Sequence, residues 1–358
     1  MSKITIKIWE PILENKPATQ TCCGLNYIAP VHSCVFSIFS YIFDLGTHVS
    51  FKMMFDVLKC LKLISESKSI IVVGGHNDSS LSNSVEVIGD NICSIPPLPI
   101  GLIKPSISLT NDEEILACGG AYNKTHNNKE CFALKEHGWE KHSTLIKARF
   151  SAYAMTMSNG VYLFGGEFLP GKNEFLPDGS KIWKAGSLIP KKSTFGCSVK
   201  ISDFDVIVLG GMGTEKRIVK LNTKTNEWKT IGELKEGRYG HACAMIYDQI
   251  IVSGGSKSYV EQLTSTEVIS LNDLTSSRMV GNLNEAREFH GLATAQIDNV
   301  LTLVSFGGSH FQNGWRKTDS IEIWNPDTET WSLSCELRLT EKKAEFGYLS
   351  IPSHLLCH

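Results

Sequence analysis

The chain has 358 residues and a formal net charge of −2. Hydrophobic residues make up 42% and charged residues 20%, an ordinary globular balance that excludes wholesale disorder, a collagen-like polymer and a polytopic membrane protein. The slight acidity supplies no overall positive field to draw the chain to nucleic acid.

The N-terminus, MSKITIKIWEPILENK, has no apolar run and does not read as a signal peptide. Ile28 to Phe43 is the most apolar stretch, but its 16 residues hold Pro30 and His32. That is short of the ~20 residues a membrane helix needs. Residues 1–68 therefore form an unassigned segment, and a repetitive domain is predicted over 69–357. The 11 cysteines are odd in number, dispersed and without a CxxC pair, so they read as free thiols of a cytoplasmic protein. Cys197 and Cys243 in particular lie in apolar runs and read as buried thiols. Asn77 and Asn123 head sequons that would matter only in a secreted chain.

The repeat carries the information. Six glycine pairs occur, at Gly74-Gly75, Gly119-Gly120, Gly165-Gly166, Gly210-Gly211, Gly254-Gly255 and Gly307-Gly308, with spacings of 45, 46, 45, 44 and 53. Each pair ends a short apolar run such as SIIVVGG or VIVLGGM, the pattern of a buried strand entering a turn. After most pairs comes an indole, at Trp139, Trp183, Trp228 and Trp331, suited to the seam between neighbouring sheets. Before the pairs, a basic residue opens an apolar strand: Lys104, Arg149, Lys192, Arg238, Arg287 and Lys343. The last of these strands has no glycine pair after it, and the first glycine pair has no such strand before it. The C-terminal strand near Lys343 to Ile351 is thus expected to complete the first sheet and close a ring, which removes open sheet edges.

A unit of about 45 residues built this way resembles the kelch repeat. The resemblance implies an all-β fold, a six-bladed kelch β-propeller closed by its C-terminal strand. Departures are the missing Trp in the first and fifth repeats and the extra residues near 256–263 and 309–316. The BTB and BACK domains of kelch-like ubiquitin-ligase adaptors have no room ahead of the propeller in this sequence.

No P-loop, GxSxG, HExxH or Asp box is present. His241 and His290 occupy similar positions on two opening strands and read as structural rather than as metal ligands. No cofactor and no catalytic residue is expected. The basic series leaves two readings open. It can form a ring that binds an acidic or phosphorylated peptide, as in similar kelch adaptors, or it can cap strand ends and pair with neighbouring carboxylates. The loops after the glycine pairs should share one face, with Tyr122, Tyr239, His310, Phe311, Trp315 and Arg316 as contact candidates. Trp315 can equally fold back on the blade edge. The resulting expectation is a non-catalytic protein-binding module with a protein partner, its specific versions being ubiquitin-ligase substrate recognition with a cullin-type component and actin-associated scaffolding. The alternatives are a carbohydrate-active or oxidising enzyme and a secreted kelch protein.

Overall fold

The computed structural model describes residues 67–90, 92–123, 126–166, 172–188 and 194–356. Residues 1–66 and Lys192 lie outside the described residues. The described residues form six antiparallel blades. Blade 1 joins the C-terminal strand Gly347–Pro352 to Lys68–Val73 and Val85–Ile88. Blades 2 to 6 have four strands each. Their inner strands are Ser106–Leu109, Ala152–Met157, Cys197–Lys200, Ala242–Ile246 and Gly291–Ile297. The inner strands touch in sequence around the axis, and Gly347–Pro352 contacts those of both blade 2 and blade 6, so the ring closes. The closing strand is in full register with its partner, from Lys68 opposite Pro352 to Val73 opposite Gly347.

The glycine pairs have a steric reason. Gly254 and Gly255 take φ of +61° and +88°, and a Cβ on Gly255 would lie 2.7 Å from the Tyr239 carbonyl. The second strand therefore passes the start of its own blade's inner strand at a distance only glycine allows, and a Cβ on Gly254 would lie 2.5 Å from the carbonyl of Arg287, which opens the next blade.

The indoles sit at the seams. Trp139 Nε1 donates to the Pro96 carbonyl at 2.9 Å, Trp183 to Ser143 Oγ at 3.0 Å, Trp228 to Ser187 Oγ at 3.2 Å and Trp331 to Thr266 Oγ1 at 3.0 Å. Each bond reaches the preceding blade. Blade 5 lacks the indole, and its outer strand Asp273–Met279 instead pairs with Glu227–Glu233 of blade 4 at Glu233 and Ser276. Gly232 permits this, because a Cβ there would lie 2.1 Å from the Thr275 carbonyl. Among the described residues, blade 1 has no fourth strand. Pro96, Pro97 and Pro99 occupy the corresponding stretch, and proline cannot donate to a ladder.

The cysteine expectation is corrected. Cys197 and Cys243 form a disulfide with Cα atoms 5.8 Å apart, joining the inner strands of blades 4 and 5. Cys118 and Cys131 form another within blade 2. The propeller brings together cysteines far apart in sequence, so a search for short spacings misses the pairs.

Closure gives a direct prediction. A chain ending at Phe346 exposes the Lys68–Val73 edge, whose Ile70, Ile71, Val72 and Val73 are fully buried here. It should lose its single cooperative melting transition and aggregate on size-exclusion chromatography. A truncated monomer with unchanged melting would contradict ring closure.

Candidate protein-binding face and axial site

The basic series is not an exposed ring. Arg149, Arg238, Arg287 and Lys343 are among the largest fully buried side chains. Arg149 donates to the Gly165 carbonyl and to Glu174 Oε1 at 2.6 Å. Arg238 donates to the carbonyls of Gly254 and Ser265 and to Glu267 at 2.7 Å. Arg287 repeats the pattern with Gly307, Ser320 and Glu322, the last at 2.8 Å. Lys343 pairs with Glu86 and donates to Ser84 Oγ. Each of these carboxylates also accepts backbone N–H groups from the loop that leads into the same blade, such as Lys235 and Glu236 onto Glu267. Buried charges of this kind are tolerated only when paired and hydrogen-bonded. The acidic-peptide role expected for Arg149, Arg238, Arg287 and Lys343 is corrected on this ground.

The four glutamates share one register position. Glu86, Glu174, Glu267 and Glu322 stand opposite Val72, Leu163, Val252 and Ser305, each two residues before a glycine pair. In blades 2 and 4 the position holds Phe132 and Val219. The backbone also relocates Lys104. In four pairs the second glycine donates its N–H to the basic residue that opens the next blade: Gly120 to Arg149, Gly211 to Arg238, Gly255 to Arg287 and Gly308 to Lys343. Gly75 donates to Leu102, not to Lys104. Leu102 and Phe132 are both buried in one apolar cluster, so blade 2 replaces the ion pair with hydrocarbon.

Lys104 belongs to a second series, two residues further on. Lys104, Ser151, Phe195, Gly240, Phe289 and Glu345 all have φ between +46° and +63°. Backbone bonds run around the axis from Ser151 to Lys104, Lys104 to Glu345, Glu345 to Phe289, Phe289 to Gly240 and Gly240 to Phe195. Five non-glycine residues held left-handed store strain of the kind that clusters at functional sites. This ring caps one end of the axial cavity, about 440 Å³, which the inner strands line.

The Lys104 ammonium lies 3.3 Å from the Phe289 ring centroid and 4.1 Å from that of Phe195. Its carboxylate neighbour is Glu345 Oε1 at 3.3 Å, and Glu345 Oε2 meets His76 Nε2 at 2.9 Å. Burial draws the Lys104 pKa down to about 8 against the pull of Glu345. Burial likewise lowers the His76 pKa. Burial pushes Glu288, hydrogen-bonded to Ser256, up to about 7.

His241 and His290 line the same cavity three residues past Arg238 and Arg287. His290 Nε2 lies 3.2 Å from Ser253 Oγ. Among the described residues no cluster of three or more His, Cys, Asp or Glu could hold a metal.

On the loop face, the extra residues of blades 5 and 6 form two hairpins, Ser256–Ser258 with Glu261–Gln262 and Ser309–Phe311 with Trp315–Lys317. Phe311 and Trp315 are a cross-strand pair, and Trp315 Nε1 donates to Tyr259 OH at 2.7 Å. Centroids in the trio lie 5.2 to 6.4 Å apart. Phe311 N also donates to Gln262 Oε1, which ties the hairpins together. Trp315 thus leans on the neighbouring hairpin, while Tyr259, Val260 and Phe311 remain exposed. Arg316 is exposed and His310 half-buried beside them. Tyr122 is on another blade, tied to Asn128, and Tyr239 pairs with Ser256 beside the ring. The sequence reading missed Tyr259 as a partner of Trp315, since the two lie 56 residues apart.

The buried histidines set an acid limb. Burial first, then Arg238, lowers the His241 pKa to about 3, and burial with Arg287 lowers that of His290 well below normal. The unfolded chain takes up these protons near pH 6.5, so stability falls as pH drops from 6.5 towards 3. His290→Phe copies Phe346, which holds the corresponding place after Lys343. It should recover up to about 2.5 kcal/mol of the loss in urea unfolding at pH 4.5, relative to pH 7.5. An unchanged acid loss would contradict a neutral His290.

No family model matches the chain. Kelch-like protein 40 of Xenopus laevis is 25% identical over 265 residues, covering 67% of this chain and 42% of that protein. Kelch-like protein 25 of Xenopus tropicalis is 24% identical over 164 residues, 43% of this chain and 27% of that protein. The chain thus spans less than half the length of these curated relatives. The solved structure of YjhT aligns with a TM-score of 0.60 at 12% identity, covering 71% of this chain and 89% of that one, a likeness of fold alone. Among the described residues no helix is long and apolar enough to cross a membrane. With six glycine-paired blades, a closing C-terminal strand and these relatives, the chain is a kelch-repeat β-propeller protein.

Proposed function

We propose that the chain is a non-catalytic protein-interaction module that binds a protein partner through the hairpins of blades 5 and 6. The observation that carries this reading is the Tyr259–Phe311–Trp315 trio, with Tyr259 and Phe311 exposed and Trp315 half-buried between them, built from two neighbouring hairpins and flanked by Val260 and Arg316. Aromatic and arginine side chains dominate protein-binding energetics, and a rigid hairpin loses little entropy on docking. The kelch-like relatives favour a protein partner. Substrate recognition for a ubiquitin ligase and actin-associated scaffolding are specific versions of this role.

The test compares the wild-type chain with Phe311→Ala/Trp315→Ala as baits, with melting as the folding control. A specific partner held by wild type should bind the variant at least about 30-fold more weakly, a loss of about 2 kcal/mol, at a melting temperature within a few degrees. Equal binding by both baits would move the contact off these hairpins. A large drop in melting temperature would make the trio a packing unit instead.

A further inference from the structure

The stretch that stands in for the fourth strand of blade 1 is not absorbed by this role. It reads ICSIPPLPI from Ile92 to Ile100, and Ile92 to Leu98 belong to no strand or helix. Pro96, Pro97 and Pro99 have φ fixed by their rings at about −65°. Ile95, Pro96 and Leu98 each precede a proline and are thereby held away from the α region. No residue of the stretch is left-handed. These constraints describe a polyproline II helix, which turns once in three residues. Burial follows that period. Ile95 and Leu98, three residues apart, are 6% and 1% exposed and face the apolar cluster around Trp139. Pro96 and Pro99, also three apart, are exposed, and so is Pro97. We propose that Pro96, Pro97 and Pro99 form a preformed docking ridge for a protein partner whose groove is lined by tyrosine and tryptophan rings, of the WW-domain type.

The ridge is fixed from beneath. Leu98 N donates to the Asn83 carbonyl at 2.8 Å, and Asn83 Nδ2 donates back to the Leu98 carbonyl at 3.0 Å. Trp139 Nε1 holds the Pro96 carbonyl at 2.9 Å. The carbonyls of Pro97 and Pro99 accept no bond from the described residues, so they remain for a partner's indole N–H. A free proline-rich peptide must be ordered as it binds, whereas here the blade has already ordered it. Ile92, 74% exposed, extends the apolar rim at the start of the stretch. Guarding an unpaired sheet edge explains Pro96, which sits at the seam, but gives no reason for exposed rings at Pro97 and Pro99. The burial pattern also selects the groove. An SH3-type groove seats both residues of two x-Pro pairs, here Ile95-Pro96 and Leu98-Pro99, and Ile95 and Leu98 are in the core. A groove that clasps two successive prolines needs only Pro96 and Pro97.

The experiment titrates the folded full chain against a set of purified WW domains, with purified SH3 domains as a second arm. At least one WW domain should bind and no SH3 domain should. The synthetic peptide of residues 94–100 should bind that WW domain no more tightly than the folded chain does. Pro97→Ala should weaken binding about tenfold or more, with the melting temperature within a few degrees of wild type. Pro99→Ala should weaken it in the same way and decides the matter if Pro97→Ala fails to fold. Phe311→Ala/Trp315→Ala should bind the WW domain as wild type does, which separates this ridge from the hairpins of blades 5 and 6. Binding by the peptide but not by the folded chain would overturn the proposal. So would binding by SH3 domains alone, binding by neither set, or wild-type affinity in the proline variants.

Discussion

In four of its blades the propeller depends on a buried cation held by a carboxylate that stands opposite the residue two before the glycine pair. In blades 3, 5 and 6 the cation is Arg149, Arg238 or Arg287, and in blade 1 it is Lys343. Desolvating such a pair costs several kcal/mol per ion, so the arrangement persists because each arginine also donates to backbone carbonyls and each glutamate also accepts from backbone N–H groups. Each arginine ties the first glycine and third strand of its own blade, Lys343 ties the third strand of blade 1, and the carbonyl of each accepts from the second glycine of the blade before. One residue thereby fixes blade geometry and blade-to-blade stacking together. Leu102 and Phe132 in blade 2 perform the same task with hydrocarbon, in line with the rule that a well-packed apolar pair can replace a buried ion pair.

Spending these charges internally decides where function can sit. The clamp arginines are withdrawn from the surface, and the proposed recognition rests on what the loops add. Two of those loops are longer than the repeat requires, and both use the extra length to build hairpins bearing aromatic residues. On the axis, the left-handed ring gathers groups from four blades at one cavity end. Its one lysine is buried and has no opposing glutamate in its own blade, and its charge is met by Glu345 of blade 1.

Much of this was legible in the sequence because it is local. The glycine pairs announce a close backbone approach, the Trp residues announce the seams, and the mismatched ends announce ring closure. That the basic residues could pair with neighbouring carboxylates was legible, but the partners were not, since Glu86, Glu174, Glu267 and Glu322 follow their glycine pairs at unequal intervals set by hairpin length. Only strand register brings them into line. The same difficulty placed Lys104 in the basic series, where a proline-rich stretch hides a two-residue offset from Leu102. The Cys197–Cys243 disulfide and the Tyr259–Trp315 bond join neighbouring blades, and contacts between blades leave no short-range pattern.

The most direct test of the account is a double-mutant cycle on Arg287 and Glu322, read by urea unfolding. Arg287→Met and Glu322→Met should each cost about 3–5 kcal/mol, because each leaves one buried charge unpaired. The double variant should recover much of that loss, as Leu102 and Phe132 do in blade 2. Losses that simply add, or single variants near wild type, would contradict a buried clamp and return the basic series to the surface.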